Sequence, residues 1–191
     1  VNNALIFIIY RFIEILAIVI VLCGIFVLTS LISYSPDDPN FIFPDNTKIN
    51  NLLGFRGSFT ADLFFQSFGL ISFLVPLSLI FTGINIFRNK MILLILGSLF
   101  YSLLYSLIGS LFFSFFYSES FKLFVNGNGG FVGKYLETTF LINLININSQ
   151  FFYFLFIFII SVLFLISIQF KVNSFYLFTK KFFNFLFTSE N

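Results

Sequence analysis

The 191 residues of this chain are 59% hydrophobic and only 9% charged, too few charges to cover a water-soluble domain, which carries about 25%. The formal net charge of +2 is too small to indicate a nucleic-acid-binding surface. A single cysteine, Cys23, excludes an intramolecular disulfide, and the absence of histidine removes the commonest metal ligand, so we expect no metal and no cofactor.

Four long apolar runs follow one another along the chain, over residues 12–32, 63–87, 91–117 and 151–170. A helix rises about 1.5 Å per residue, so roughly 20 apolar residues cross a hydrocarbon core of about 30 Å. The runs are too long and too continuously apolar for the strands of a membrane barrel. We therefore predict an all-α integral membrane protein with four transmembrane helices in one membrane-anchor domain over residues 1–191.

The first run contains Glu14, the one charged residue inside a predicted span. Glu14 follows Arg11 by three positions, so the two side chains are neighbours on a helix. No second intramembrane carboxylate, lysine or histidine is present to form a relay. We interpret Glu14 as the partner of Arg11 in an interfacial ion pair, rather than as an ion or proton site.

The loop predicted over residues 33–62 contains three prolines and two glycines, which break helices. Its first part, residues 35–39, is a predicted turn because each proline biases the residue before it away from the helical region. Ser58 or Thr60 is expected to cap the second span. Asp62 would then lie in the first turn, where a carboxylate suits the helix dipole.

Small residues and one proline mark the second and third spans. Pro76, with Gly69 and Gly83 on either side, predicts a kink or a close-packing site in the second span. The third span carries a stripe of small residues that predicts close helix packing, namely Gly97, Ser98, Ser102, Ser106, Gly109 and Ser110.

A second loop, over residues 118–150, begins with a glycine cluster and continues with an amphipathic pattern. We interpret the cluster at 126–130 as a flexible hinge and residues 131–145 as an amphipathic helix at the outer interface, with a re-entrant hairpin as the alternative. Gly133-Lys134 is followed by Tyr135 instead of Ser or Thr, so a phosphate-binding loop is rejected. The chain contains no catalytic set that we recognise.

The distribution of basic residues predicts the topology. The short segments 1–11, 88–90 and 171–191 are predicted to be cytoplasmic and the loops 33–62 and 118–150 to lie outside. The last segment is amphipathic and basic, and is expected to lie on an anionic inner leaflet. The topogenic residues are Arg11, Arg88, Lys90, Lys171, Lys180 and Lys181.

Several short motifs occur in an order that resembles one family. Residues 31–39 are similar to an L-x-S-Y-x-P-x-D-P signature, and residues 51–62 to N-x-x-G-x-x-G-x-x-x-A-D. Residues 66–76 resemble Q-x-x-G-x-x-x-x-x-x-P, and residues 129–133 resemble G-G-x-x-G. Together they resemble the N-terminal four-helix membrane domain of bacterial FtsK/SpoIIIE-type DNA translocases. The matching residues are Ser33, Tyr34, Pro36, Asp38, Pro39, Gly54, Gly57, Ala61, Asp62, Gln66, Gly69, Pro76, Gly129, Gly130 and Gly133.

The resemblance implies a membrane anchor of a septal DNA translocase, in the bacterial inner membrane with both termini cytoplasmic. Its expected partners are the lipid bilayer, division-septum membrane proteins and further copies of itself, as a hexamer. DNA would be reached only through an ATP-driven motor domain that these residues do not contain, so the segment itself is not expected to be an enzyme. The alternative is a stand-alone small membrane protein, either a truncated division scaffold or a channel- or transporter-like subunit.

Overall fold

A computed structural model describes residues 2–39, 48–118, 120 and 126–171 of the chain. These residues contain helices and no strand. The predicted amphipathic segment after Lys171, with Lys180 and Lys181, lies outside the described residues. The helices are α1 (Asn2–Ile32), α2 (Gly54–Phe68), α3 (Leu74–Asn89), α4 (Leu94–Phe116), α5 (Gly130–Glu137), α6 (Leu141–Ile147) and α7 (Ser149–Ser167), and a 3-10 helix (Gly69–Phe73) joins α2 to α3.

Four helical segments of the described chain are long and apolar enough to cross a membrane. They are α1, the continuous α2–3-10–α3 segment, α4 and α7. The prediction of an all-α protein with four membrane-spanning helices is therefore confirmed. α1 has 31 residues and is about 46 Å long at 1.5 Å per residue, so it exceeds the roughly 30 Å hydrocarbon core.

The helix boundaries differ from the predicted ones at the ends of the spans. α1 begins at Asn2, because residues 2–11 contain no proline or glycine to interrupt it. α2 begins at Gly54, so residues 54–62 are helical rather than part of the predicted loop. α7 ends at Ser167, three residues before the predicted end, and Gln169 adopts a positive φ of 53° beyond it.

The kink predicted near Pro76 lies seven residues earlier, at Gly69. Gly69 has φ 71° and ψ −146°, a conformation essentially restricted to glycine, and it ends α2. Pro76 is the third residue of α3. The N–H groups in the first turn of an α-helix have no acceptor within that helix, so the missing N–H of proline costs α3 no hydrogen bond. The backbone therefore changes direction where glycine permits it, and proline lies in the first turn of the next helix.

α1 packs closely on α3 because glycine removes the side chain at two crossing points. A Cβ atom on Gly83 would lie 2.8 Å from the Ala17 carbonyl oxygen, and one on Gly24 would lie 3.0 Å from that of Pro76. On α4, a Cβ atom on Gly109 would lie 2.3 Å from Ile71. Gly97 does not belong to this packing, because a Cβ there would meet nothing within 4 Å.

Hydrogen bonds between buried side chains join α3, α4 and α7. Ser78 Oγ lies 2.9 Å from Tyr105 Oη and 2.7 Å from Ser167 Oγ. Thr82 Oγ1 donates to Ser98 Oγ at 2.6 Å. Bonds of this kind contribute on average about 0.6 kcal/mol each between membrane helices. Aromatic rings add to the α4–α7 contact, where Phe112 packs against Tyr153 with ring centroids 5.4 Å apart.

The two ends of the bundle differ in chemistry. We call the end with the α3–α4 connection the turn end; its charged residues are Arg11, Glu14, Arg88, Lys90 and Lys171. The predicted Arg11–Glu14 pair is present there at 2.5 Å. Lys90 also contacts the Glu14 carboxylate, which joins α1 to the α3–α4 turn. We call the opposite end, with the described residues 33–39, 48–62, 117, 118, 120 and 126–148, the loop end.

Candidate functional site

The motif residues from the first loop meet at the loop end in a contact that we call the first junction, formed by Ser33, Asp38, Asn51, Gly57 and Ser58. Pro36 occupies the second position of a turn in which Asp38 N donates to Ser35 O at 3.2 Å. The Asp38 carboxylate is buried and accepts hydrogen bonds from Asn50 N at 2.7 Å and Asn51 N at 2.8 Å. Charge-assisted bonds of this kind are among the stronger ones in proteins.

Asn51 connects the end of α1 to the beginning of α2. Its Nδ2 group donates to the carbonyl oxygens of Ser30 at 3.0 Å and Ser33 at 3.2 Å, which satisfies acceptors in the last turn of α1. Its Oδ1 atom accepts from Leu53 N at 3.0 Å. A Cβ atom on Gly57 would lie 2.1 Å from that oxygen, so a glycine is needed there.

The capping role predicted for Ser58, Thr60 and Asp62 is wrong, because α2 begins several residues before them. Ser58 Oγ donates to Pro39 O at 2.7 Å and therefore fastens the loop to α2. Thr60 Oγ1 donates to a carbonyl of its own helix, that of Arg56. Asp62 is buried within the third turn and accepts from Gln66 Nε2 at 3.3 Å.

Tyr34 closes the first junction on its apolar side. Its ring meets the Phe65 ring edge-on, with centroids 4.9 Å apart, beside the buried Leu31 and Ala61 side chains. Burial, and then the nearby carboxylates of Asp62 and Asp38, raise the pKa of Tyr34 to about 12. Tyr34 is therefore a neutral phenol at any physiological pH.

A second junction forms where the break at Gly69 meets the glycine cluster of the second loop. Leu70 N donates to Asn128 O at 2.9 Å. A Cβ atom on Gly69 would lie 2.0 Å from Asn128 O. Cβ atoms on Gly129 and Gly133 would lie 2.3 Å and 2.4 Å from Ser110 O. The interpretation of this cluster as a flexible hinge is therefore wrong, because its glycines permit tight backbone packing instead.

Asn128 and its neighbours hold the second junction together. The buried Asn128 side chain donates to the carbonyl oxygens of Tyr117 and Ser120, at the end of α4. Gly130 has φ 64°, and a Cβ there would lie 2.6 Å from Ser67 O. Asn126 Nδ2 donates to Gln66 O at 3.3 Å. The sequence interpretation gave Asn51 and Asn128 no individual role, and it named Ser110 only as a member of the small-residue stripe.

The amphipathic helix predicted over 131–145 forms as two short helices, α5 and α6. Thr138 Oγ1 donates to Tyr135 O at 2.7 Å and Thr139 Oγ1 to Leu136 O at 2.6 Å, so the hydroxyl groups compete for backbone acceptors where the helix ends. α5 packs on α4 and α2 through its glycine face. Its opposite face exposes the stacked rings of Phe131 and Tyr135.

The remaining predicted residues lie away from these junctions. Pro76 is in α3 against α1, and Arg11, Arg88, Lys90 and Lys171 are at the turn end. Gly54, with φ 64°, begins α2 after a turn in which its N–H donates to Asn51 O. Among the described residues, no group of three or more His, Cys, Asp or Glu side chains could hold a metal ion.

The sequence profile of the 4TM region of DNA translocase FtsK/SpoIIIE matches residues 10–175. The DNA translocase FtsK of Rickettsia bellii is 36% identical over 74 residues, which are 39% of this chain and 10% of that protein. The FtsK proteins of Rickettsia typhi and Rickettsia prowazekii are each 32% identical over 74 residues, with the same coverage. The matched segment is thus about a tenth of these relatives, and no solved structure matches significantly. Because the profile covers most of the chain, including all four long apolar helices, the chain belongs to the 4TM region family of DNA translocase FtsK/SpoIIIE.

Proposed function

We propose that this chain anchors a septal DNA translocase in the bacterial inner membrane and so acts in cell division and chromosome segregation. Family membership supports its role as the membrane part of such a translocase, and the matched region is not the ATPase motor. The anchor positions and oligomerises a cytoplasmic motor in a longer protein, with a hexamer as the assembly. DNA contacts that motor and not the anchor.

The observation that carries the proposed orientation is the unequal charge of the two ends. Among the residues that the structure describes, the turn end gathers four basic residues, Arg11, Arg88, Lys90 and Lys171, against the carboxylate of Glu14. The loop end, within the described residues, has three basic and four acidic side chains, which are Lys48, Arg56, Lys134, Asp37, Asp38, Asp62 and Glu137. Basic residues favour the cytoplasmic side, so both termini face the cytoplasm and the loop end faces outward.

The two junctions make the loop end a defined surface for division-septum membrane proteins. Buried polar bonds at Asp38, Asn51 and Asn128 hold the described parts of the two loops against the ends of the helices. On that fixed backbone, Phe131 and Tyr135 stay more than 60% exposed. Exposed aromatic side chains on a rigid support are typical anchors of protein interfaces.

Reporter fusions test the orientation. A reporter that is active only in the cytoplasm should work when fused after Lys90 and fail when inserted between Pro39 and Lys48. A second reporter, active only outside, should give the opposite pattern. Reversed signals would overturn the orientation and, with it, the assignment of the loop end to external partners.

Septal localisation tests the partner surface. In cells that express the full-length protein with a fluorescent tag, Phe131→Ser and Tyr135→Ser together should reduce septal enrichment without changing the amount in the membrane fraction. Leu52→Ser, at another exposed apolar position of the loop end, is the matched control and should localise normally. Normal localisation of the double variant would exclude this surface.

An immunoblot of native membranes separates the anchor from a stand-alone protein. An antibody to the segment between Ser33 and Thr60 should detect a band several times heavier than the 22.1 kDa of this chain. A band near 22.1 kDa would instead show that the chain stands alone, and the DNA-pumping role would have to be abandoned.

A further inference from the structure

An apolar groove lies between α1 and α3 and reaches the turn end of the bundle. Its volume is about 300 Å³, at the lower end of the range of roughly 300–1,000 Å³ that holds small ligands. At the floor of the groove Gly83 lets α3 approach α1 closely, because a Cβ atom there would lie 2.8 Å from the Ala17 carbonyl oxygen. The lining of the groove includes Ala17, Val21, Gly83, Ile84, Phe87 and Arg88.

The side of the groove that faces away from the bundle is strongly apolar. Ile18 and Leu22 on α1, and Ile84 and Phe87 on α3, are between 42% and 59% exposed. These four side chains lie on membrane-spanning segments, so the medium outside the groove is hydrocarbon. A flexible hydrocarbon chain can lie against such walls without leaving a buried polar group unpaired.

The turn end of the groove is positively charged. Arg88 lines the groove and has no ion pair with any residue that the structure describes. Lys90 lies nearby, with its Nζ atom 4.3 Å from the centroid of the Phe87 ring. The acidic group at this point is Glu14, and it already contacts both Arg11 and Lys90. Three cations against one carboxylate leave a net charge of +2 beside the end of the groove.

We propose that this groove is a binding site for an anionic phospholipid. The lipid phosphate contacts the Arg88 guanidinium, and Lys90 adds to the positive potential. One acyl chain lies along the groove, against the exposed side chains of Ile18, Leu22 and Phe87. Arginine suits this role because its planar guanidinium can donate two hydrogen bonds to a phosphate.

The charge at the groove favours a lipid over a second protein helix. A helix packed along α1 and α3 would cover Arg88, and it would have to supply a carboxylate at that depth to avoid a buried, unpaired charge. A phospholipid carries its anion at the depth where its acyl chains begin, so it matches an apolar groove that ends at an arginine. This site depends only on insertion of the chain in a bilayer and not on the proposed septal function.

Native mass spectrometry of the full-length protein in mild detergent tests the proposal. The protein is titrated with phosphatidylglycerol or phosphatidylcholine that carry the same acyl chains. We expect the protein to retain the first bound phosphatidylglycerol at least fivefold better than the first bound phosphatidylcholine. One basic residue near a charged lipid surface contributes about 1 kcal/mol, which is roughly fivefold, so Arg88→Gln should remove most of this preference.

Three further variants identify the origin of any preference. Arg88→Lys should retain most of it, and Ile18→Phe should reduce retention of both lipids by filling the groove from its exposed edge. Lys171→Gln is the matched control, because it removes one positive charge at the same end, just after α7, and should leave the preference unchanged. Ile18→Phe also keeps the proposal testable should Arg88→Gln fail to fold.

Several results would overturn the proposal. Equal retention of the two lipids by the unchanged protein would exclude a site for anionic lipids. If Arg88→Gln and Lys171→Gln reduced the preference for phosphatidylglycerol equally, the preference would depend on the total charge of the turn end and not on a site at Arg88. A lipid-free dimer that Ile18→Phe dissociates would assign the groove to a second copy of the chain.

Discussion

Replacing Gly69 with alanine should destabilise the bundle more than any other single added methyl group on α2 or α3. The residue has φ 71° and ψ −146°, a region that costs about 1–3 kcal/mol for any other residue. Its new Cβ atom would also lie 2.0 Å from Asn128 O, a backbone atom that cannot rotate away. Relief of such a clash by a backbone shift costs roughly 1–3 kcal/mol more.

The expected total is therefore about 2–6 kcal/mol, and the Leu70 N–Asn128 O hydrogen bond should be lost with it. For a chain of this length, 1 kcal/mol corresponds to a shift of about 2–4 °C in Tm. Gly69→Ala should thus lower the apparent Tm, measured by loss of the monodisperse protein in mild detergent, by at least about 4 °C.

Gly97→Ala is the matched control for this substitution. A Cβ atom at Gly97 meets nothing within 4 Å, and alanine favours an α-helix over glycine by about 1 kcal/mol. We expect no loss of stability there. If the two variants melted at the same temperature, the second junction would not contribute to stability, and our account of its glycines would be refuted.

Three further predictions concern the first junction and the turn end. Asp38→Ala removes the acceptor of the buried Asn51 N–H group, which costs about 1–3 kcal/mol, and that of the exposed Asn50. Added protease should therefore cut residues 39–53 faster than in the Asp38→Asn control, which keeps one acceptor. The pKa of an unfolded tyrosine is about 10 and that of folded Tyr34 is about 12, so its contribution to stability is complete below pH 10 and falls as the pH rises to 12. Tyr34→Phe should therefore flatten the decline of Tm over this pH range. An unchanged slope would contradict the prediction. Glu14→Gln breaks an ion pair that water screens, so it should lower the Tm only slightly and leave the reporter signals unchanged. A fall in Tm as large as that of Gly69→Ala would show that the cluster is shielded from water.

The spans were predictable because a single physical requirement defines them. Any run of roughly 20 apolar residues has the length to cross a bilayer, whatever its neighbours do. The start of α2 did not follow from this requirement, since residues 54–62 are polar enough for a loop and contact Pro39 and Asn51, which lie outside the helix. Hydropathy carries no information on such contacts.

The junctions required knowledge of residues that are far apart in the chain. Asn51 bonds to Ser30, 21 positions away, and Lys90 reaches Glu14 across 76 positions. The quoted motifs indicated which residues matter, but not which of them meet. The glycine cluster shows this most clearly, because its composition suits either a mobile hinge or close backbone packing. The two are distinguished by the Ser110 carbonyl oxygen on α4, which leaves no room for a Cβ atom on Gly129 or Gly133.

The sparse burial of α7 has a mechanical consequence. Only Ile160 and Ser167 of its 19 residues are buried, and its side-chain hydrogen bonds to the rest of the described bundle are those of Tyr153 to Tyr117 and of Ser167 to Ser78. A pulling force applied to the chain after residue 171 would enter the bundle through α7. From α7 the force would pass to α4 and α3 as shear along the α4–α7 contact, where Phe112 packs against Tyr153. α1 is held by the first junction at one end and by the ion pairs of Glu14 at the other, so it would carry little of the load.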